Sequence, residues 1–213
     1  MYHIPASVIE KAISYPAFRE LSQQMAEEGF TSGPNQSPIM IRYTEINDFR
    51  MNRLDRTTKI LPEVTELIQA IDQPLLFLTI TEAWCGDGAQ ILPVIEKLAS
   101  INDKIVHKLI FRDENPEVMD NFLTNGARSI PIIVIADPNS GKVLGHWGPR
   151  PKKAHQLIMD TKKLLASIED EKQKEQAKNE SQAALQSWYA KDKTKSIQRE
   201  FLEELAHPVY GIR

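Results

Sequence analysis

The chain has 213 residues, of which 41% are hydrophobic and 26% charged, with a formal net charge of −3 and one cysteine. That length can bury a sizeable core in one or two domains, and the acid–base balance shows no basic footprint for nucleic acid. No apolar run approaches the roughly 20 residues that span a bilayer, and a lone cysteine excludes an internal disulfide.

Met1-Tyr2-His3-Ile4-Pro5 has neither a basic n-region nor an apolar h-region, so no secretory leader is expected. A cytoplasmic setting is the default for a chain with no disulfide. Residues 1–73 are expected to form a helical N-terminal extension packed on the core. Pro5-Ala6-Ser7 starts a short helix through Ile13. Pro16 to Met25 forms a second, ending near Gly29. Thr31 to Pro38 is a turn-rich break. A helix then runs from Ile46 to Ile60, with Asn47 or Asp48 near its cap. Pro62 suits a first helical position, where its missing N–H is unpaired anyway. Val64, Leu67, Ile68 and Ile71 follow as a helical stripe able to lie against a sheet.

Residues 74–165 alternate strand and helix, so the fold class is α/β. Leu75–Thr81 is a continuous apolar run, the pattern of a central strand covered on both faces. Ala89–Ser100 is predicted helical, Ile105–Phe111 a strand and Asn115–Leu123 a short helix. Ile132–Ala136 and Lys142–Trp147 are strands joined by an Asp137–Gly141 turn. A closing helix from Pro151 offers Ala154, Leu157, Ile158, Leu164 and Leu165 to the sheet.

Residues 166–213 are a charged helical C-terminal extension. Glu169 to Glu180 mixes both charge signs, as on a solvated helix. Leu185, Trp188 and Tyr189, then Ile197, Phe201, Leu202 and Leu205, restore apolar spacing. These anchors are expected to dock on the body of the same chain, a homodimer through the C-terminal helices being the alternative. His207-Pro208 is expected to end the last helix.

The cysteine lies in Thr79-Ile80-Thr81-Glu82-Ala83-Trp84-Cys85-Gly86-Asp87-Gly88, between a strand and a helix. A thiol at a helix start faces unpaired N–H groups and the positive end of the dipole. Both favour the thiolate, which is the nucleophile. The expectation is a reactive, at least partly exposed Cys85. A carboxylate nearby, Asp87 or Glu82, would oppose ionisation. Asp87 also reads as a helix-start residue near its cap, or as a proton acceptor for an incoming thiol.

Trp84-Cys85-Gly86-Asp87-Gly88 resembles the Trp-Cys-x-x-Cys loop of the thioredoxin-like superfamily, with Gly88 in place of the second cysteine. Pro93, eight residues after Cys85, stands where that family carries a helix-kinking proline. Asp113-Glu114-Asn115-Pro116 is similar to its Asp-x-Asn-Pro. Gly126-Ala127-Arg128-Ser129-Ile130-Pro131, followed by Ile132-Ile133-Val134-Ile135, resembles its cis-proline segment. The resemblance covers roughly residues 74 to 165 and implies a central mixed sheet flanked by helices, here with added helices at both ends.

The resemblance also implies roles. Cys85 would be the catalytic nucleophile. Trp84, Gly86, Asp87, Ile130 and Pro131 would line the substrate groove, Ile130 offering its backbone to an extended partner. The family's buried aspartate, six residues before the nucleophile, is replaced by Thr79. With Gly88 lacking sulfur, a mixed disulfide would need an external resolving thiol. The partner would be a protein or a low-molecular-weight thiol or disulfide, in a role in cell redox homeostasis. No cofactor, metal, nucleic acid or membrane is implied. The five histidines (His3, His107, His146, His155 and His207) show no metal-ligand spacing and read as surface or core residues. The alternative is a redox-inactive module that binds proteins or peptides. A weaker third reading places all function in the terminal helices.

Overall fold

A computed structural model describes residues 2–210 of the chain, with side chains through residue 206. The centre is a five-stranded sheet in the order β1-β3-β2-β4-β5. Its middle strand, β2 (Leu75–Thr81), is buried along its whole length. It pairs in parallel with β3 (Ile105–Phe111), from Leu75 opposite Ile105 to Thr81 opposite Phe111. On its other side it pairs antiparallel with β4 (Ile132–Ala136), which forms a hairpin with β5 (Val143–Trp147).

Side chains alternate across a strand, and β2 sorts its residues into two cores accordingly. Leu75 and Phe77 face a cluster that includes Ile133 and Ile135. Leu76, Leu78 and Ile80 face a second cluster with Ile132, Val134 and Cys85. A strand covered on both sides must be apolar at every position except where polar groups find partners. Thr79 meets that condition through His107, whose Nε2 lies 2.9 Å from its hydroxyl. The other ring nitrogen of His107 lies 2.9 Å from Glu96.

The N-terminal residues reach both rims of the sheet. After α1 (Ala6–Lys11), the pair Ile13–Ser14 forms β1, antiparallel to β3. Ile13 therefore belongs to a strand and not to the first helix. His3 bridges Lys142 just before β5. Next comes α2 (Tyr15–Glu28), which closes on Gly29 with φ of 75°, a left-handed conformation that suits glycine.

The next helix, α3 (Pro38–Thr57), starts eight residues before the expected Ile46. Pro38 occupies its first turn, where proline is tolerated, so the proline that read as part of a break is the start of the helix. Asn47 and Asp48 therefore lie mid-helix. Arg19 of α2 ties the two helices by pairing with Asp48 at 2.9 Å and Asp55 at 3.2 Å. In α4 (Pro62–Gln69), Val64 and Ile68 are fully buried, but Leu67 is 43% exposed and lies outside the buried stripe.

After β2 comes α5 (Gly88–Ala99), with Pro93 in its interior. The expected helix after β3 contracts to α6 (Pro116–Met119). In α7 (Lys152–Ser167), Ala154 is buried, whereas Leu164 is 52% exposed and does not cover the sheet. The C-terminal segment forms α8 (Glu171–Asp192) and α9 (Lys195–Tyr210). The last helix thus runs past His207-Pro208. Leu185, Tyr189, Ile197, Phe201 and Leu205 all join the core cluster around Phe77. Phe201 meets Phe77 edge-on at 5.1 Å and Trp147 at 6.1 Å. These five anchors are thus buried within their own chain, and Trp188 and Leu202 pack against the same cluster partly buried. No helix among the described residues is long and apolar enough to cross a membrane.

Candidate functional site

The loop from Glu82 to Asp87 leaves β2 and turns into α5, and the N-terminal region holds it in place. Glu82 accepts from the Ser32 hydroxyl and, at 2.9 Å, from the Asp113 backbone N–H. The Ala83 N–H donates to the Ser32 hydroxyl at 2.8 Å, and the Asn47 amide donates to the Ala83 carbonyl at 3.0 Å. Burial raises the Glu82 pKa, and the two hydrogen bonds oppose that rise. Glu82 is thus a latch between three segments and is not turned to the sulfur. The sequence reads Ser32 only as part of a turn-rich break and Asn47 only as a helix-cap candidate, because their partners lie 36 to 51 positions away.

Cys85 Sγ accepts from the Gly88 N–H at 3.2 Å and lies 3.4 Å from the Ile130 carbonyl, to which its S–H donates. The Ile130–Pro131 peptide is cis, as is Gly148–Pro149. The sulfur therefore does face the first turn of α5. Two expectations nevertheless fail. Cys85 is only 5% exposed. Burial, reinforced by the charge of Asp87, pushes its pKa up to about 12, against the smaller lowering effects of the Gly88 N–H and Arg150. The N–H groups of the first turn do not outweigh removal from water.

Asp87 sits at the start of α5, but its side chain makes no capping bond. It pairs instead with Arg150, whose Nη2 and Nε donate at 2.6 and 2.9 Å. Its second oxygen accepts from the Tyr189 hydroxyl at 2.7 Å. Burial works against the Arg150 charge, but Asp87 offsets this and leaves its pKa raised. Burial, then Asp87, hold the Tyr189 phenol well above its ordinary value. Asp87 therefore joins α5, the loop before α7, and α8. Arg150, flanked by Pro149 and Pro151, was not singled out from the sequence, and Tyr189 was seen only as a packing anchor.

Trp84 is half-buried beneath the Arg112 guanidinium, 4.9 Å from its ring centre. Gly86 is half-buried, and Ile130 and Pro131 are buried. The structure brings Trp84, Cys85, Gly86, Asp87 and Ile130 to the wall of one cavity of about 580 Å³, with Leu185 of α8 among its other lining residues. Pro131, next to Ile130 in the chain, is buried and does not line this cavity. Two glutamines fasten α8 over this region. Gln186 accepts from Gln90 at 2.8 Å, and Gln182 donates to the Tyr43 hydroxyl at 2.7 Å. Gly88 faces Thr81, whose hydroxyl lies 2.8 Å from where a Cβ would stand.

A family model described as Thioredoxin matches residues 33–163, more than half of the chain. No curated protein matches significantly. Among solved structures, the chain is similar to a protein of unknown function from Pseudomonas aeruginosa. The identity is 15% and the TM-score 0.58, with 96% of this chain and 98% of that one covered. It is also similar to an HIV epitope scaffold at 17% identity and a TM-score of 0.49, with 70% and 79% covered.

Proposed function

Because the chain belongs to the thioredoxin family, a family of thiol redox chemistry in general, we propose that it exchanges disulfides through one nucleophilic cysteine, Cys85, with an external resolving thiol. The observation that carries this reading is the position of the sulfur. Cys85 lines the cavity between Trp84 and Ile130 and is held against the Ile130 carbonyl. Trp84, Gly86, Asp87, Ile130 and Pro131 would be the surface against which a partner lies. A cytoplasmic setting would keep the lone thiol reduced.

Cys85 releases its proton to solvent, and the thiolate attacks one sulfur of the partner's disulfide. A Cys85–S bond forms as the partner's S–S bond breaks, and the second partner sulfur leaves as a thiolate. An external thiolate then attacks the mixed disulfide and frees Cys85. That attack falls on the partner's sulfur and joins it to the external thiol. A second external thiolate then cleaves this disulfide, which leaves the partner reduced and the two external thiols joined as a disulfide. Gly88 carries no sulfur, so no step resolves within the molecule. The Gly88 N–H and Arg150 are the groups that favour the thiolate. Burial outweighs them, so the resting thiol is less ionised at neutral pH than a free cysteine.

The test is intact-mass detection of a mixed disulfide after incubation with hydroxyethyl disulfide across pH 7 to 10. The expected result is one adduct, absent from Cys85→Ser, whose rate rises about tenfold for each pH unit and shows no plateau near 8.5. No adduct at pH 10 in the folded protein would overturn the proposal. The burial of Cys85 and its raised pKa favour a second reading, a module that holds a partner in the same cavity without turnover. In that case Cys85→Ser retains its partners unaltered.

A further inference from the structure

We propose that the cavity beside Cys85 selects carboxylate-bearing low-molecular-weight disulfides, with Arg50 as the anchor for the anion. This rests on the exchange reading of Cys85 and names its substrate class.

The volume of about 580 Å³ is suited to a small molecule, since such sites span roughly 300–1,000 Å³. Four guanidinium groups line it: Arg50, Arg112, Arg128 and Arg150. Three of them have carboxylate partners. Arg150 is paired with Asp87, Arg128 with both oxygens of Asp120 at 2.6 and 2.7 Å, and Arg112 with Asp113 at 2.8 Å. Of those three carboxylates, only Asp87 reaches the cavity wall.

Arg50 forms no ion pair with the described residues. Its Nη1 donates to the Asn47 side chain at 3.0 Å, which leaves the rest of its fork for a ligand. The residue is half-buried, and burial lowers its pKa. The Tyr43 phenol and the Asp87 carboxylate, the latter already engaged by Arg150 and Tyr189, act on its charge without pairing to it. A charge taken partly out of water with no direct ion pair is unfavourable, and a bound anion relieves that cost. A carboxylate fits the planar fork.

Its position relative to the sulfur decides what kind of anion is selected. Arg50 Nη1 lies 3.7 Å from where a Cβ would stand on Gly86, the residue after Cys85. A ligand that reaches both groups therefore carries its anion a few atoms from its sulfur. Leu185, Ile158 and Met40 give the same cavity apolar lining for the carbon chain.

The experiment uses the whole protein and three disulfides of alike skeleton. Dithiodipropionate carries two carboxylates, hydroxyethyl disulfide is neutral and cystamine carries two ammonium groups. Mixed-disulfide formation at Cys85 is followed by intact mass at low salt, with each rate divided by that for a free cysteine peptide. The carboxylate probe is expected to lead the neutral one by about tenfold, with cystamine slowest and added salt eroding the order. Arg50→Gln is expected to abolish the preference, and Arg50→Lys to retain part of it.

Octanedioate, which replaces the disulfide by two methylenes, is titrated into wild type and Arg50→Gln by NMR at the Trp84 indole. Binding to wild type alone is expected. Equal normalised rates for the three probes, with no octanedioate binding, overturn this inference and leave the exchange reading standing. Octanedioate binding without reaction of any probe overturns the exchange reading and leaves only the anion site.

Discussion

At the residue scale, the Thr81 hydroxyl governs what position 88 can hold. A side chain there starts 2.8 Å from that oxygen and 3.4 Å from the Cys85 sulfur. Thr81 is fully buried and β-branched, so it has little room to turn. Restoring the family's second cysteine by Gly88→Cys therefore overpacks the loop. We expect it to lower stability by about 1–3 kcal/mol in urea unfolding, with partial recovery on adding Thr81→Ala. An undisturbed Gly88→Cys protein in which the introduced thiol readily forms a disulfide with Cys85 would contradict this. The vacancy of the second thiol was legible from Gly88 alone, but the packing that accompanies it was not. Thr79, in the place of the family's aspartate, is engaged with His107, and Thr81, two residues on, takes the position under Gly88. Period-2 alternation puts both threonines on one face, and only the turn after β2 decides which meets the loop.

At the element scale, α9 is secured by Phe201, which is fully buried between Phe77 and Trp147. Phe201→Ala removes an aromatic ring from a packed core and should cost about 3–5 kcal/mol, measured by chemical denaturation. Because α9 follows α8 directly, the same variant should speed amide exchange through the second half of α8, where Tyr189 holds Asp87. The central strands and α5 were readable because their apolar periods are long and uninterrupted. Element edges were less so. Pro38 read as part of a break and Pro208 as a helix end, yet Pro38 opens α3 and α9 runs past Pro208. A proline in the first turn of a helix is as much a start as a break. The partners of Asp87 were invisible for a different reason. They lie 63 and 102 positions away, and only the assembled fold brings them together.

At the scale of the whole molecule, two buried acids near one another are kept neutral. Cys85 and Tyr189 both have raised pKa values, chiefly through burial. Raised folded-state values mean that the unfolded chain releases these protons first. Their contribution to stability is full below about 8.5 and 10, the ordinary values for thiol and phenol, and is lost as pH climbs toward the folded values. Denaturation midpoints should therefore fall from pH 8 to 11. The double variant Cys85→Ser/Tyr189→Phe should fall less steeply than wild type, and equal slopes would refute the assignment. A different consequence follows from the opening residues, which tie down both margins of the sheet through Ile13–Ser14 on β3 and His3 beside β5. Loss of those few residues by proteolytic trimming would bare two backbone ladders at once. The clipped chain would then be open to strand-by-strand stacking with its neighbours, and it would aggregate under conditions where the intact protein stays dispersed.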